Sequence, residues 1–219
     1  MHCVITAGPT YETMDHVRRL TNFSTGRLGT ELGNFLTDRG HQVTLLLGEQ
    51  ATHCGDRRAA RLERFSTTAN LLEKFRALAG ENVGAVFHAA AVSDFQFGKI
   101  WLRSPDGALS EMSAGKISTR IGTLLAELVP TPKVIAQLRE LFPKSFLVGW
   151  KYEVDGDRAS VLAAAARQLR ECRTDACVVN GAAYGPGFGI TNPTGKCDHQ
   201  ADAAALFKAL EKLLPPTRP

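Results

Sequence analysis

The sequence predicts an α/β fold, a three-layer sandwich with a mainly parallel sheet between helices, and three observations predict it. Short apolar runs rich in β-branched residues alternate with segments of helical periodicity, the pattern of strands joined by crossover helices. The alternation breaks only once, in the middle of the chain. The 219 residues, 44% apolar and 22% charged, suit one globular domain with a single large core.

Val4–Ala7 opens the sheet. A helical segment runs from about Gly26 to Arg39, with Leu28, Leu32, Phe35 and Leu36 at helical spacing and Gly40 ending it; strand Val43–Leu47 follows. Leu62–Phe65 is a weaker strand. Leu71, Leu72, Phe75 and Leu78 mark the next helix, and Val83–His88 the next strand. From Phe95 to Val129 the periodicity fades into scattered Gly, Ser, Lys and Pro, which reads as a functional flap over about residues 96–129 without a clear element of its own. A helix begins near Pro132, where proline suits the first turn. Strand Phe146–Trp150, the alanine-rich helix Arg158–Glu171 and strand Ala176–Asn180 come next. A Gly/Pro loop then leads to an amphipathic helix from about Ala201 to Leu214. Residues 1–214 thus read as one Rossmann-like domain, with the flap inserted after the central strands, and 215–219 as a frayed tail. Ligands in such sheets sit beyond the carboxyl ends of the strands, so the loops after Thr6, His88, Trp150 and Asn180 should ring one site.

Composition excludes several classes. The net charge of +4 is not gathered into a run, so nucleic acid is not an expected partner. No apolar stretch reaches the roughly 20 residues of a membrane span, and no signal-peptide pattern precedes Cys3, which implies a cytoplasmic, reducing setting. The five cysteines are scattered, and none pairs at metal-ligand spacing, so no metal ligand is assigned to Cys or His.

Four stretches could carry chemistry. The glycine turn of Ile5–Thr10 brings Gly8 to a strand end, where backbone N–H groups can meet an anion. Ser24, Thr25, Gly26 and Arg27 cluster at a helix N-terminus; one hydroxyl is expected to cap the helix, and the set also describes a phosphate cradle, with Asp15–Arg19 adding cations nearby. Small residues Ala89, Ala90 and Ala91 follow a strand and admit a flat ring or ribose, while Asp94 could hold a divalent cation between phosphates. Gly115–Arg120 places Lys116 in the flap, where closure over phosphates would balance developing charge. Thr194-Gly195-Lys196 fails as a phosphate loop, since Ile190 and Cys197 stand where Gly and Ser/Thr are required.

Taken in order, ITAGPT at 5–10, DHVR at 15–18, NFSTGRLG at 22–29, AAAVSDF at 89–95, KI at 116–117, TP at 131–132, VGWKYE at 148–153 and VVN at 178–180 resemble the phosphopantothenate–cysteine ligase family. The resemblance implies a Rossmann-like homodimer that joins cysteine to 4'-phosphopantothenate in coenzyme A synthesis. The substrate carboxylate is activated by CTP or ATP with Mg²⁺, and the cysteine amine then displaces the nucleoside monophosphate. It places Asn22 on the acyl-nucleotidylate carbonyl, Arg18 in the second half-reaction and Lys116 as the flap lysine. Gly8, His88, Ala89, Ala90, Ala91 and Asp94 become nucleotide contacts. Val129, Pro130, Thr131 and Pro132 lie toward the base, and Trp150 replaces an aromatic that is commonly Phe. Ser24, Thr25, Gly26, Arg27 and Asn180 are left to hold phosphopantothenate and its phosphate. Flavin chemistry is not expected, because nothing precedes the first strand.

The chain departs from the bacterial pattern where Ser118 and Thr119 follow the flap lysine, and at Gln168 and Cys172, positions that often carry lysine. These losses leave ATP against CTP open, favour a eukaryotic-like flap, and keep a non-catalytic ligand-binding relative as an alternative. A short-chain dehydrogenase is a weaker one. It needs Tyr-x-x-x-Lys, and Asp15, Gly156 and Phe188 stand four residues after the three tyrosines.

Overall fold

The computed structural model describes residues 1–112, 115–118 and 122–216. In chain order its elements are β1 (His2–Ala7), β2 (Tyr11–Thr13), β3 (Arg19–Thr21), α1 (Arg27–Asp38), β4 (Gln42–Gly48), β5 (Arg61–Phe65), α2 (Thr68–Leu78), β6 (Val83–His88), β7 (Phe95–Arg103), β8 (Leu109–Met112), β9 (Thr123–Pro130), α3 (Val134–Leu141), β10 (Phe146–Tyr152), α4 (Arg158–Cys172), β11 (Ala176–Asn180), β12 (Phe188–Thr191), β13 (Cys197–Gln200) and α5 (Ala203–Lys212).

The main sheet has eight strands in the order β13-β12-β11-β10-β6-β1-β4-β5. Its six strands from β11 to β5 are parallel, and the β12–β13 hairpin adds an antiparallel edge. The inner parallel strands read as largely apolar runs because both their faces are covered, while the edge strand β5, RLERF, is mostly exposed. On one face Leu32 and Leu36 of α1 and Leu206 and Leu210 of α5 pack against Ile5, Leu45, Phe87 and Val178. On the other, Leu71 and Phe75 of α2 and Leu138 of α3 meet Val4, Leu46, Val86 and Leu147, while α4 covers Cys177 and Val179. The chain winds one way through β1, β4 and β5, then crosses to β6 on the other side of β1. That reversal opens a crevice between the carboxyl ends of β1 and β6, the position where such sheets bind ligands.

The flap differs from the expectation of a stretch without elements. It contains an antiparallel sheet, β8-β7-β9. Antiparallel ribbons exposed on both faces lack the apolar alternation that marks half-buried strands; here Leu109, Leu125 and Leu128 are exposed and Ile100 is buried. The helix expected near Pro132 starts at Val134 with Lys133 as its cap. Thr131 is held outside it, donating its N–H to the Asp94 carbonyl at 3.0 Å and its hydroxyl to the Ser93 carbonyl at 2.5 Å. The β12–β13 hairpin occupies part of what reads as a Gly/Pro loop and linker. Among the described residues no helix is long and apolar enough to cross a membrane, and residues 217–219 of the expected tail lie outside them.

Candidate functional site

The crevice is laced shut at its base by backbone and hydroxyl bonds. Ala91 donates its N–H to the Gly8 carbonyl at 3.0 Å, and Thr10 donates to the Ala91 carbonyl at 3.1 Å. Gly8 has φ +82°, and a Cβ there would lie 2.8 Å from that of Ala51, so the turn needs glycine for both conformation and space. The Thr6 hydroxyl accepts from the Ala90 N–H at 3.0 Å and meets His88 Nδ1 at 2.9 Å. Thr10 Oγ1 accepts from the Ser93 N–H at 2.8 Å. Two threonine hydroxyls therefore shape the loop that contains Ala89, Ala90 and Ala91.

His88 is 6% exposed and packs edge-on to Phe75 beneath this loop, away from the pocket described below. Burial pushes its pKa down from the ordinary 6.5 to about 4, because the imidazolium would lose its hydration. The unfolded chain therefore binds a proton that the folded chain refuses between pH 6.5 and about 4. Stability is full above that window and falls as pH drops through it, by about 3 kcal/mol for this group. His88→Asn should flatten that loss, read as a smaller shift in urea midpoint between pH 7.5 and 4.5. His2 and His41, also held low by burial, account for a remaining slope of the same sign. An unchanged slope in the variant would contradict the assignment.

Beside the crevice, α1 points its N-terminus into a pocket of ≈ 400 Å³, within the range of small-molecule sites. Gly29 makes the approach possible, since a Cβ there would stand 2.7 Å from the Ala7 Cβ and 2.9 Å from the Thr6 carbonyl. Of the residues expected at a site, the pocket gathers Gly8, Ala89, Ser24, Thr25, Gly26 and Arg27. The cap at Gly26 is made without a side chain, and Thr25 Oγ1 accepts only from the Arg27 N–H at 3.3 Å. The remaining first-turn N–H groups and the positive end of the helix dipole face the pocket, an arrangement suited to a phosphate. Arg27 pairs with Glu31 at 2.6 Å through Nε. Phe23, fully exposed, and Phe188 of β12 add apolar walls.

Asn22 stands over the laced base, its amide donating to the Ala91 carbonyl at 3.2 Å. Asp94 is exposed, and Val129, Pro130, Thr131 and Pro132 reach the same loop through the Thr131 bonds. Arg18 and Lys116 do not line the pocket. Arg18 pairs with Asp15 at 3.0 Å and donates to the Ile117 carbonyl at 2.7 Å, and Lys116 is exposed beside it. Thr119 and Arg120 lie outside the described residues. Trp150, two residues before the end of β10, and Asn180, the last residue of β11, lie on the α1/α5 side of the sheet without lining the pocket; Trp150 Nε1 and Asn180 Oδ1 are buried with no hydrogen-bond partner among the described residues.

Gln168 and Cys172, the positions that often carry lysine, face inward in this chain. Both are buried on the inner face of α4, where Gln168 Nε2 donates to Cys177 Sγ at 3.3 Å. These side chains pack inward in this chain, so lysine-to-neutral change there is a matter of packing as well as of lost cations. Sequence reasoning gave no role to Asp15, Thr6, Thr10 and Phe23. Thr6 and Thr10 flank the glycine turn and Asp15 sits three residues before Arg18, spacings that could have flagged them; Phe188 stands in the Gly/Pro stretch 181–189, whose composition could cover a ligand or simply be a loop.

Fold and site together define a Rossmann-like α/β domain with a helix N-terminus facing a pocket beside the point where its strand order reverses. The chain belongs to the DNA/pantothenate metabolism flavoprotein C-terminal domain family, whose model matches residues 1–212. It is 32% identical over 178 residues to the coenzyme A biosynthesis bifunctional protein CoaBC of Thermococcus kodakarensis, covering 81% of this chain and 40% of that protein. It is 27% identical over 208 residues to CoaBC of Bacillus subtilis, covering 94% and 48%. The chain thus spans less than half the length of these relatives. Among solved structures it resembles the DNA/pantothenate metabolism flavoprotein of Streptococcus pneumoniae, with TM-score 0.84, 22% identity and 97% of both chains covered. It also resembles a Cab2 H337A mutant in complex with phosphopantothenate-cysteine, with TM-score 0.71, 18% identity, and 96% and 87% covered.

Proposed function

We propose that the chain acts as a phosphopantothenate–cysteine ligase. The carboxylate of 4'-phosphopantothenate attacks the α-phosphorus of a nucleoside triphosphate, pyrophosphate leaves, and the cysteine amine then attacks the activated carbonyl and expels the nucleoside monophosphate. The observation that carries this reading is the meeting of the α1 N-terminus with the laced Gly8–Ala91 crevice, with the Asn22 amide above it. The family membership and the ligand of the Cab2 complex support it. In this reading the first turn of α1 with Ser24, Thr25 and Arg27 takes the substrate phosphate. Gly8 and Ala89 to Ala91 admit the nucleotide, and Val129 to Pro132 face its base. Asn22 donates to the carbonyl being activated, and Lys116 balances phosphate charge.

Asp94 offers one exposed carboxylate, and among the described residues no cluster of three acidic, His or Cys side chains surrounds it. That fits Mg²⁺ carried in on the phosphates and does not fit a protein-built cage, since Mg²⁺ usually keeps waters and uses one or two carboxylates. A homodimer belongs to the same reading, supported by Phe95, Leu125 and Leu128 exposed on the flap sheet.

The deciding measurement is pyrophosphate release with phosphopantothenate and each nucleotide. We expect ATP to serve at least as well as CTP, because Ser118 and Thr119 follow the flap lysine where the CTP-using pattern has cations. Charge-assisted contacts of that kind contribute about 1.5–3 kcal/mol each, and a site rebuilt around another base rejects the first sharply. A preference for CTP above about tenfold would refute the nucleotide choice, and no turnover with any nucleotide would favour a non-catalytic binding protein.

A further inference from the structure

The Asp15 carboxylate is completely buried and accepts four N–H groups. Oδ1 takes the backbone N–H of Val17 at 2.8 Å and of Arg18 at 2.7 Å. Oδ2 takes Arg18 Nη1 at 3.0 Å and the Ile117 N–H at 3.3 Å. Arg18 Nη2 reaches the Ile117 carbonyl at 2.7 Å, and the His16 N–H reaches the Gly115 carbonyl at 2.9 Å. Both polar backbone groups of Ile117 and the carbonyl of Gly115 are therefore bound by the 15–18 turn, and the Ile117 side chain is itself buried at 2% exposure. Lys116 lies between these anchors and is the residue of the three that nothing from the turn holds. The backbone bonds, led by the one from Val17, keep the Asp15 carboxyl below its usual range, so it stays charged at neutral pH.

We propose that Asp15 is a positioning residue: one carboxylate fixes the Arg18 guanidinium and, a hundred residues away, the Ile117 backbone next to Lys116, while the neighbouring His16 N–H holds Gly115 on the other side, so that the two cations are presented in a set relation to each other. The turn alone would need only Oδ1. The second oxygen is directed entirely to Arg18 Nη1 and the flap. Removing it should free the flap without unmaking the turn. The catalytic part of this inference rests on the ligase reading, whereas the tether does not.

Asp15→Asn separates the two oxygens. Its Oδ1 still accepts from Val17 and Arg18, while its amide N–H₂ faces two donors, Arg18 Nη1 and the Ile117 N–H, and cannot accept from either. Hydrogen exchange at Ile117 should quicken at least roughly tenfold in the variant, with exchange in β1 and β6 unchanged. The maximal rate of pyrophosphate release should fall roughly ten- to a hundredfold, as for loss of charge-assisted bonds that hold a catalytic cation, with little change in KM for phosphopantothenate. Asp15→Ser, which keeps an acceptor for the turn and has no second oxygen, should behave alike and replaces the first variant if that one does not fold. Unchanged protection at Ile117 in both variants would overturn the tether. Faster exchange with a wild-type rate would overturn the positioning role. If the wild type turns over no nucleotide, the ligase reading fails and exchange at Ile117 alone still decides the tether.

Discussion

Asn22→Asp should bind nucleotide as the wild type does and lose product formation by about a hundred- to a thousandfold, the range seen when one preorganised donor to a developing oxyanion is removed. The carboxamide has two N–H groups. One is spent on the Ala91 carbonyl at 3.2 Å, which fixes the plane of the amide and leaves the other to aim at an activated carbonyl. An ionised carboxylate has no N–H to offer. It would also face the Ala91 carbonyl oxygen across the same distance, two acceptors without a proton between them, and would swing away from the laced crevice. The Gly8–Ala91 and Thr10–Ala91 backbone bonds do not involve this side chain, so the crevice itself survives. Calorimetric titration with nucleotide separates binding from turnover in the variant. Wild-type ligation rates would remove Asn22 from the chemistry.

The parts of the fold that could be read from the residues are those buried on two faces. β6 and β11 are apolar up to their last residues, and Val83–His88 and Ala176–Asn180 have the bounds that pattern predicts. Helix α1 shows Leu32 and Leu36 buried at helical spacing. The flap strands gave no such signal, because an antiparallel ribbon that exposes Leu109, Leu125 and Leu128 does not sort its residues by burial. The pocket at the α1 N-terminus was legible for a local reason: a helix N-terminus and its preceding Ser-Thr-Gly are contiguous in sequence, and Ser24 to Arg27 do line the pocket. The clasp was not. Asp15 and Ile117 are joined across 102 positions, and no spacing rule reaches so far. Trp150 and Asn180 were named through resemblance, and their buried, unpartnered Nε1 and Oδ1 atoms are features that only coordinates reveal.

Lys116→Gln should lower pyrophosphate release by about a hundredfold or more, whereas Lys99→Gln should change it little. The two lysines share a Gly-Lys-Ile setting. Their surroundings differ. Lys99 Nζ pairs with Glu111 at 2.7 Å and lies 5.4 Å from the centre of the Trp101 ring, and its backbone N–H donates to Glu127 at 3.1 Å. Glu111 holds the Lys99 ammonium above its usual range, so its charge is already answered across the flap sheet. Such an exposed pair contributes little to stability, and its loss should leave folding and rate near wild type. Lys116 has no carboxylate partner among the described residues, while the carbonyl and N–H groups on either side of it are bound. A cation with a fixed backbone and a free head costs little reorganisation when phosphates arrive, which is the condition for preorganised charge to act. Steady-state rates of the two variants, measured at saturating nucleotide, decide the matter. Damage confined to Lys99→Gln, with Lys116→Gln silent, would move the catalytic cation to β7 and undo the flap assignment.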